Sequence, residues 1–167
     1  ISTATGQELR RAGTTYPQHI VDRYLQLPPN FPPRVRQLAQ ELTRGLNNNY
    51  DKAKAIEAYL QQFPYDTNIP QPPAGRDGVE WFLFDLKRGY CDYFASAMAV
   101  MLRSIGIPAR VAVGYISGKY NPDIGAYEVR ESDAHSWPQV YFPEYGWVDF
   151  EPSPRAGAGV PRVESLE

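Results

Sequence analysis

The single cysteine of the chain, Cys91, is the residue that could act as a nucleophile. A thiol attacks a carbonyl carbon only as the thiolate, and a helix N-terminus lowers a thiol pKa because its unpaired N–H groups favour the anion. Apolar residues repeat at helical spacing directly after Cys91, so we expect this residue to begin a helix. The alternative is a buried cysteine that packs as a small hydrophobic side chain.

A base for this thiol could come from one of two histidines, His19 and His135. His19 lies in an N-terminal segment without clear periodicity, whereas His135 directly precedes an alternating segment that predicts a strand. We therefore expect His135 to be the base that activates Cys91. Taken alone, a histidine in this position would more often be a surface or capping residue.

A Cys-His pair needs a third group that accepts a hydrogen bond from the far imidazole nitrogen and fixes the tautomer. Asp149 and Glu151 are the candidates. With a turn at 143–146, a hairpin register places the partner of His135 near position 153, which is closer to Glu151 than to Asp149. The two acids are two residues apart and share a strand face, so alternation does not separate them. We favour Glu151 and keep Asp149 as the alternative.

Helices are predicted in the first two thirds of the chain, where apolar residues recur at i, i+3, i+4 and i+7. One helix is expected from Pro33 to near Gly45, one from Asn49 to near Pro64, and one from Cys91 to near Gly106. Residues 1–30 contain scattered polar residues and a Pro-Pro pair, and predict an extended lead-in. The proline-rich stretch at 64–78 predicts an ordered loop.

Strands are predicted after Pro108, where the period changes to two. Four segments show this alternation: 110–116, 127–130, 136–142 and 147–151. We expect the first two to be joined by the turn at 121–125 and the last two by the turn at 143–146. Pro138 predicts an edge strand or a bulge, because proline donates no ladder hydrogen bond. Helices followed by strands predict an α+β fold.

Composition limits the function classes that remain. The chain has 167 residues and a net charge of −2, which suits one domain and offers no basic run for nucleic acid. Its apolar runs are shorter than the ~20 residues that cross a bilayer. One cysteine excludes an internal disulfide, and with two separated histidines it offers no convincing metal site. We expect no metal, no cofactor and a monomeric fragment.

Three segments resemble the bacterial transglutaminase-like core family, and together they cover roughly residues 60–154. The first is RGYCDYFASA at 88–97, followed by LR, GIPAR and VGY at 102–115. The second is SDAHSW at 132–137, similar to that family's histidine motif. The third is YGWVDFEPS at 145–153, similar to its acidic motif.

The resemblance implies a papain-like arrangement in which a helix presents the Cys91 thiol to an antiparallel sheet that carries His135 and the acid. It assigns the third position to Glu151, where many relatives have Asp. This departure leaves two alternatives: Asp149 completes the site, or the triad is degraded. The Cys91 backbone N–H is one expected oxyanion donor. Tyr65 is expected as the second, with a loop tyrosine that packs on the core as its alternative.

The function implied by the resemblance is attack on a glutamine-type amide of a protein or peptide. The attack forms a thioester, from which the acyl group is transferred to an amine or to water. A cysteine protease or amidase and a catalytically silent peptide-binding module are the alternatives. We expect residues 31–154 to form the catalytic domain and 155–167 to be a flexible tail. The resemblance also implies an extracytoplasmic domain of a membrane-anchored bacterial protein, and the first residue, Ile1, suggests a piece of a longer chain.

Overall fold

The computed structural model describes residues 2–116 and 118–154, so the predicted flexible tail at 155–167 lies outside the described residues. The helices are α1 (Gly6–Arg11), α2 (Gln18–Tyr24), α3 (Pro33–Leu42), α4 (Asn49–Leu60), α5 (Gly78–Trp81), which continues as a π-helical turn (Phe82–Leu86), and α6 (Cys91–Ser104). The strands are β1 (Ala109–Tyr115), β2 (Lys119–Asn121), β3 (Ala126–Glu128), β4 (Ala134–Phe142) and β5 (Gly146–Asp149). A 3-10 turn (Glu131–Asp133) precedes β4.

The N-terminal segment contains two short helices, so the prediction of an extended lead-in is wrong for residues 6–11 and 18–24. Thr5 and Glu8 form a capping box in which each side chain bonds the other residue's backbone N–H. Leu9 and Ile20 bury their side chains. This local capping and burial outweigh the polar composition from which we predicted extended chain.

Helix α6 is the centre of the core. Its apolar side chains pack against α3, α4 and the sheet, and six of them are completely buried: Phe94, Ala95, Ala97, Met98, Met101 and Leu102. Across the sheet, Val140, Phe142 and Val148 face the same core. The α+β prediction is confirmed, since helices that precede an antiparallel sheet pack on one of its faces.

The main sheet has three antiparallel strands in the order β1-β4-β5. We had predicted that segment 110–116 pairs with 127–130. In the structure it pairs with β4 instead. Strands β2 and β3 form a separate ribbon, closed by a turn in which Gly125 has φ +64°. The difference has a physical reason: β4 offers β1 a long strand with buried side chains, whereas the side chains of β3 are mostly exposed.

Pro138 lies in the central strand, so the prediction of an edge strand or a bulge is wrong. The register from Ala109 to Tyr115 against β4 runs without interruption. Phe150 N–H donates to the Pro138 carbonyl at 3.0 Å, which shows that the backbone polar groups of Pro138 face the β5 side. Strand β5 ends at Asp149, so the missing N–H of Pro138 falls where that ladder ends.

Candidate active site

Cys91 is the first residue of α6, as predicted from the sequence. Tyr90 is the N-cap, with extended φ and ψ of −120° and 179°, and its carbonyl accepts the N–H groups of Tyr93 and Phe94 at 2.9 and 3.3 Å. The N–H groups of the first turn have no partner four residues earlier in the helix. The Cys91 backbone N–H is therefore at the position from which a helix dipole favours an anion.

The Cys91 thiol is half-buried and lines the same pocket as the His135 imidazole, and each of the two groups shifts the pKa of the other. Burial raises the pKa of the thiol, but hydrogen bonds with His135 and with the Ser136 backbone outweigh burial and hold this pKa below its ordinary value. In the opposite sense, the hydrogen bond with Cys91 and then that with Glu151 raise the pKa of His135 from 6.5 to about 9. The two shifts favour a thiolate beside an imidazolium at neutral pH.

His135 Nε2 lies 2.5 Å from Glu151 Oε2, and the two side chains are only 5% and 8% exposed. Because Glu151 occupies Nε2, Nδ1 is the ring nitrogen that remains for the thiol. The second carboxylate oxygen, Oε1, accepts the backbone N–H of Ser153 at 3.0 Å. Both oxygens of Glu151 are thus engaged, and one of them orients the imidazole.

Asp149 does not contact His135 in this arrangement. Its Oδ1 accepts the indole N–H of Trp137 at 3.0 Å and the amide of Gln139 at 2.6 Å. The Trp137 ring in turn stacks on His135, with ring centroids 6.1 Å apart and an interplanar angle of 20°. A Cβ at Gly114 would lie 3.1 Å from the Trp137 ring, so glycine makes room for the indole. Asp149 thus bonds the indole that stacks on His135 and not the imidazole itself.

The backbone of Glu151 is tied to α4, which lies far away in sequence. Its N–H donates to Glu57 Oε2 at 3.0 Å, and its carbonyl accepts the side-chain amide of Gln61 at 2.7 Å. Glu57 and Gln61 are four residues apart and therefore share one helix face. The acid after β5 is positioned by a helix as well as by the sheet.

An open pocket of about 430 Å³ gives access to the thiol. It is lined by Cys91, Asp92, Val113, Gly114, Tyr115, Ala134, His135 and Ser136. Asp92 Oδ1 lies 3.9 Å from Cys91 Sγ and accepts the Ser136 hydroxyl at 2.5 Å. A substrate carbonyl in this pocket would meet the sulfur, the imidazole and the N-terminus of α6 together.

Tyr65, the expected second oxyanion donor, lies beside the segment that leads into α6. Its backbone forms a parallel bridge with Gly89, two residues before Cys91, and its ring stacks on Phe94 at 6.3 Å and 7°. The ring therefore packs on the core and the residue lies close to the start of the helix, while its role as an oxyanion donor stays a prediction.

Within residues 2–116 and 118–154, no group of three or more His, Cys, Asp or Glu side chains is arranged to hold a metal ion. In the same part of the chain, none of the helices has the length and apolar character needed to span a bilayer.

The family model of the Transglutaminase-like superfamily matches residues 36–152. The chain belongs to this superfamily. The resemblance noted from its three motifs is thereby confirmed, and the matched segment contains Cys91, His135 and Glu151.

Two curated relatives of this transglutaminase-like chain are similar over most of its length. The uncharacterized protein YebA of Bacillus subtilis (strain 168) is 53% identical over 139 residues, 79% of this chain and 19% of YebA. A protein-glutamine gamma-glutamyltransferase of Pseudomonas aeruginosa is 41% identical over 134 residues, 78% of this chain and 20% of the relative. The chain spans about a fifth of the length of these two relatives.

Solved structures give the same picture for the fold. The periplasmic domain of TgpA from Pseudomonas aeruginosa has a TM-score of 0.75 and 38% identity, with 83% of this chain and 48% of that domain covered. A Cytophaga hutchinsonii protein described as a candidate cysteine protease has a TM-score of 0.63 at 21% identity, covering 89% and 47% of the two chains. The second likeness concerns the fold alone.

Several residues of this transglutaminase-like site were not predicted from the sequence: Glu57, Gln61, Asp92, Ser136 and the stacking of Trp137. One signal was present for Glu57, which follows Ile56 and precedes Leu60 by three, so it lies on the apolar face of the predicted helix. A charged residue on such a face needs a buried partner. The contacts of the others depend on strand register and leave no signal in the local sequence.

Proposed function

We propose that the chain is a cysteine acyltransferase of the transglutaminase-like kind, which attacks a glutamine-type carboxamide of a protein or peptide. The observation that supports this most directly is the unbroken series from the Cys91 thiol through His135 to the buried Glu151 carboxylate. A sulfur kept as thiolate and an imidazole kept in one orientation are the two requirements for nucleophilic attack at neutral pH.

In the first half of the reaction the Cys91 thiolate attacks the carboxamide carbon, and the carbonyl electron pair moves to oxygen. The Cys91 backbone N–H, together with Tyr65, stabilises this oxyanion. As the intermediate collapses, the C–N bond breaks and the His135 imidazolium gives its proton to the leaving nitrogen, which departs as ammonia. The product is a thioester on Cys91 and a neutral imidazole.

In the second half, neutral His135 takes a proton from an amine or from water as that molecule attacks the thioester carbon. The C–S bond breaks and the thiolate returns beside the imidazolium. An amine acceptor gives a new amide, and water gives a glutamate side chain. Throughout, the Glu151 carboxylate accepts a hydrogen bond from His135 Nε2–H, and it stabilises the ring whenever the ring is positively charged.

The location and assembly of the whole protein belong to the same proposal. The TgpA domain, 38% identical, is periplasmic, and this likeness supports an extracytoplasmic domain held by a membrane-anchored parent protein. Neither the sheet nor the pocket needs a second copy to be complete, so we propose that the fragment acts as a monomer.

Labelling tests the nucleophile, and the chain suits it because Cys91 is its single thiol. The wild type should react with iodoacetamide near pH 7 much faster than glutathione, and the rate should collapse in His135→Ala. Equal, slow rates in the two proteins would contradict the proposal and favour a silent peptide-binding module.

Product analysis then distinguishes the reactions. Incubation with a dansyl-labelled amine and a glutamine-rich protein should incorporate the fluorophore into the protein and release ammonia. Ammonia without fluorophore would assign the acceptor role to water, and peptide fragments would assign the site to proteolysis. Cys91→Ala should give none of these products.

A further inference from the structure

Glu57 is a buried carboxylate that the reaction described above does not use. It is 7% exposed and lies on the inner face of α4, among completely buried neighbours such as Ala53, Ile56 and Leu60. A carboxylate in such surroundings is costly unless it is paired and hydrogen-bonded. Its two carboxylate oxygens have different partners, and these partners indicate its structural role.

One oxygen of Glu57 bonds the active-site strand and the other bonds its own helix. Oε2 accepts the Glu151 N–H at 3.0 Å, and Oε1 pairs with Lys54 Nζ at 2.5 Å. Lys54 is 45% exposed, so its ammonium reaches the carboxylate from the solvent side. The ion pair with Lys54 stabilises the charged form of the Glu57 carboxylate, which accepts the hydrogen bond from the Glu151 N–H.

The segment that carries Glu151 requires such a tie. Strand β5 ends at Asp149, and the hydrogen bond from Phe150 N–H to Pro138 O closes the ladder one residue later. From there the β4–β5 ladder no longer fixes the chain. The carbonyl of Glu151 is nonetheless bound by Gln61, one turn after Glu57 on the same face of α4.

We propose that Glu57, neutralised by Lys54 and assisted by Gln61, is a positioning residue that sets the backbone of Glu151 so that its carboxylate reaches His135. The inference rests on the proposed function, because it assigns a purpose to the contact between Glu151 and His135.

The test compares Glu57→Leu, which keeps the size but removes the acceptor, with Glu57→Gln, which keeps an oxygen for the Glu151 N–H. The ring nitrogens of the two histidines are followed by NMR across pH, with exposed His19 on α2 as the internal reference. In Glu57→Leu the pKa of His135 should fall from about 9 toward 6.5, because the carboxylate of Glu151 no longer meets the ring. Glu57→Gln should restore the wild-type titration.

A matched control is Glu41→Leu, the same substitution at an exposed site on α3, which should leave the His135 titration unchanged. A folded Glu57→Leu protein that titrates as the wild type would overturn the positioning role. If Glu57→Leu does not fold, Gln61→Leu carries the comparison: a lowered pKa of His135 supports the proposal and an unchanged one refutes it.

The proposed function fails separately from this inference. The proposed function is tested on the wild-type chain. If His135 of the wild type titrates near 6.5 and Cys91 alkylates like a free thiol, the proposed enzymatic function is refuted. An altered His135 titration in Glu57→Leu with unchanged unfolding midpoint would show that the effect is not a general loss of stability.

Discussion

Asp92 Oδ1 lies 3.9 Å from Cys91 Sγ, so the proposed nucleophile has a carboxylate as its next neighbour along the helix. The negative charge of Asp92 raises the pKa of the thiol, opposing the hydrogen bonds from His135 and the Ser136 backbone that lower it. The Ser136 hydroxyl holds the Asp92 side chain in this place. The site therefore contains a charge that works against its own thiolate.

Asp92→Asn should make Cys91 more reactive at acidic pH. The substitution removes the like charge but keeps an oxygen that can accept the Ser136 hydroxyl, so the thiolate becomes easier to form. The rising limb of the iodoacetamide rate should move to lower pH than in the wild type. An unchanged or raised midpoint would show that Asp92 does not act on the thiol through its charge. Asp77→Asn, at the N-cap of α5, is a matched control.

The pH profile of acyl transfer should be bell-shaped with its upper limb near pH 9. The thiolate forms as pH rises through the lowered pKa of Cys91, which gives the rising limb. The imidazolium that protonates the leaving nitrogen is lost as pH rises through the His135 pKa of about 9, which gives the falling limb. Alkylation of Cys91 needs only the thiolate and should show no such fall.

His135→Ala checks the assignment of the lower limb. Without the imidazole, the alkylation profile should move up toward that of an ordinary thiol, about 8.5. A profile that stays where the wild type has it would mean that the helix N-terminus alone lowers the pKa of Cys91.

Glu151→Gln should slow alkylation of Cys91 at pH 7 roughly 10- to 100-fold, since hydrogen bonds to charged groups contribute ~1.5–3 kcal/mol. The amide can still bond the ring but no longer offsets the positive charge of His135. Asp149→Asn should have a smaller effect, because its Oδ1 can still accept the N–H groups of Trp137 and Gln139. The reverse ranking would transfer the third role to Asp149.

Much of the architecture could be predicted because it is encoded locally. Helix α6 follows from apolar spacing after Cys91, and the hairpin at 143–146 follows from its turn residues. The observed β4–β5 register has Gln139 opposite Asp149, and its continuation places position 153 opposite His135. Counting along that register favoured Glu151 over Asp149, and Glu151 is the acid that contacts His135.

What could not be predicted depends on contacts between distant segments. The pairing of β1 with β4 instead of β3 is decided by burial, which the alternation of 110–116 does not reveal. The tie between Glu57 and Glu151 joins positions 94 residues apart. The prediction for Pro138 was wrong because proline is disfavoured in central strands only for its missing backbone N–H. Here that N–H would have pointed past the last residue of β5, where no strand partner is lost.

Tyr65→Phe separates the oxyanion role from the packing role of this residue. Phenylalanine keeps the ring that stacks on Phe94, so the start of α6 should stay in place. If the hydroxyl stabilises the oxyanion, kcat for acyl transfer should fall about 100-fold or more, the usual effect of removing one such donor. Alkylation of Cys91 forms no oxyanion and should keep its wild-type rate. A parallel fall in both rates would indicate a disturbed helix start, and no change in either would leave the Cys91 N–H to act with some other donor.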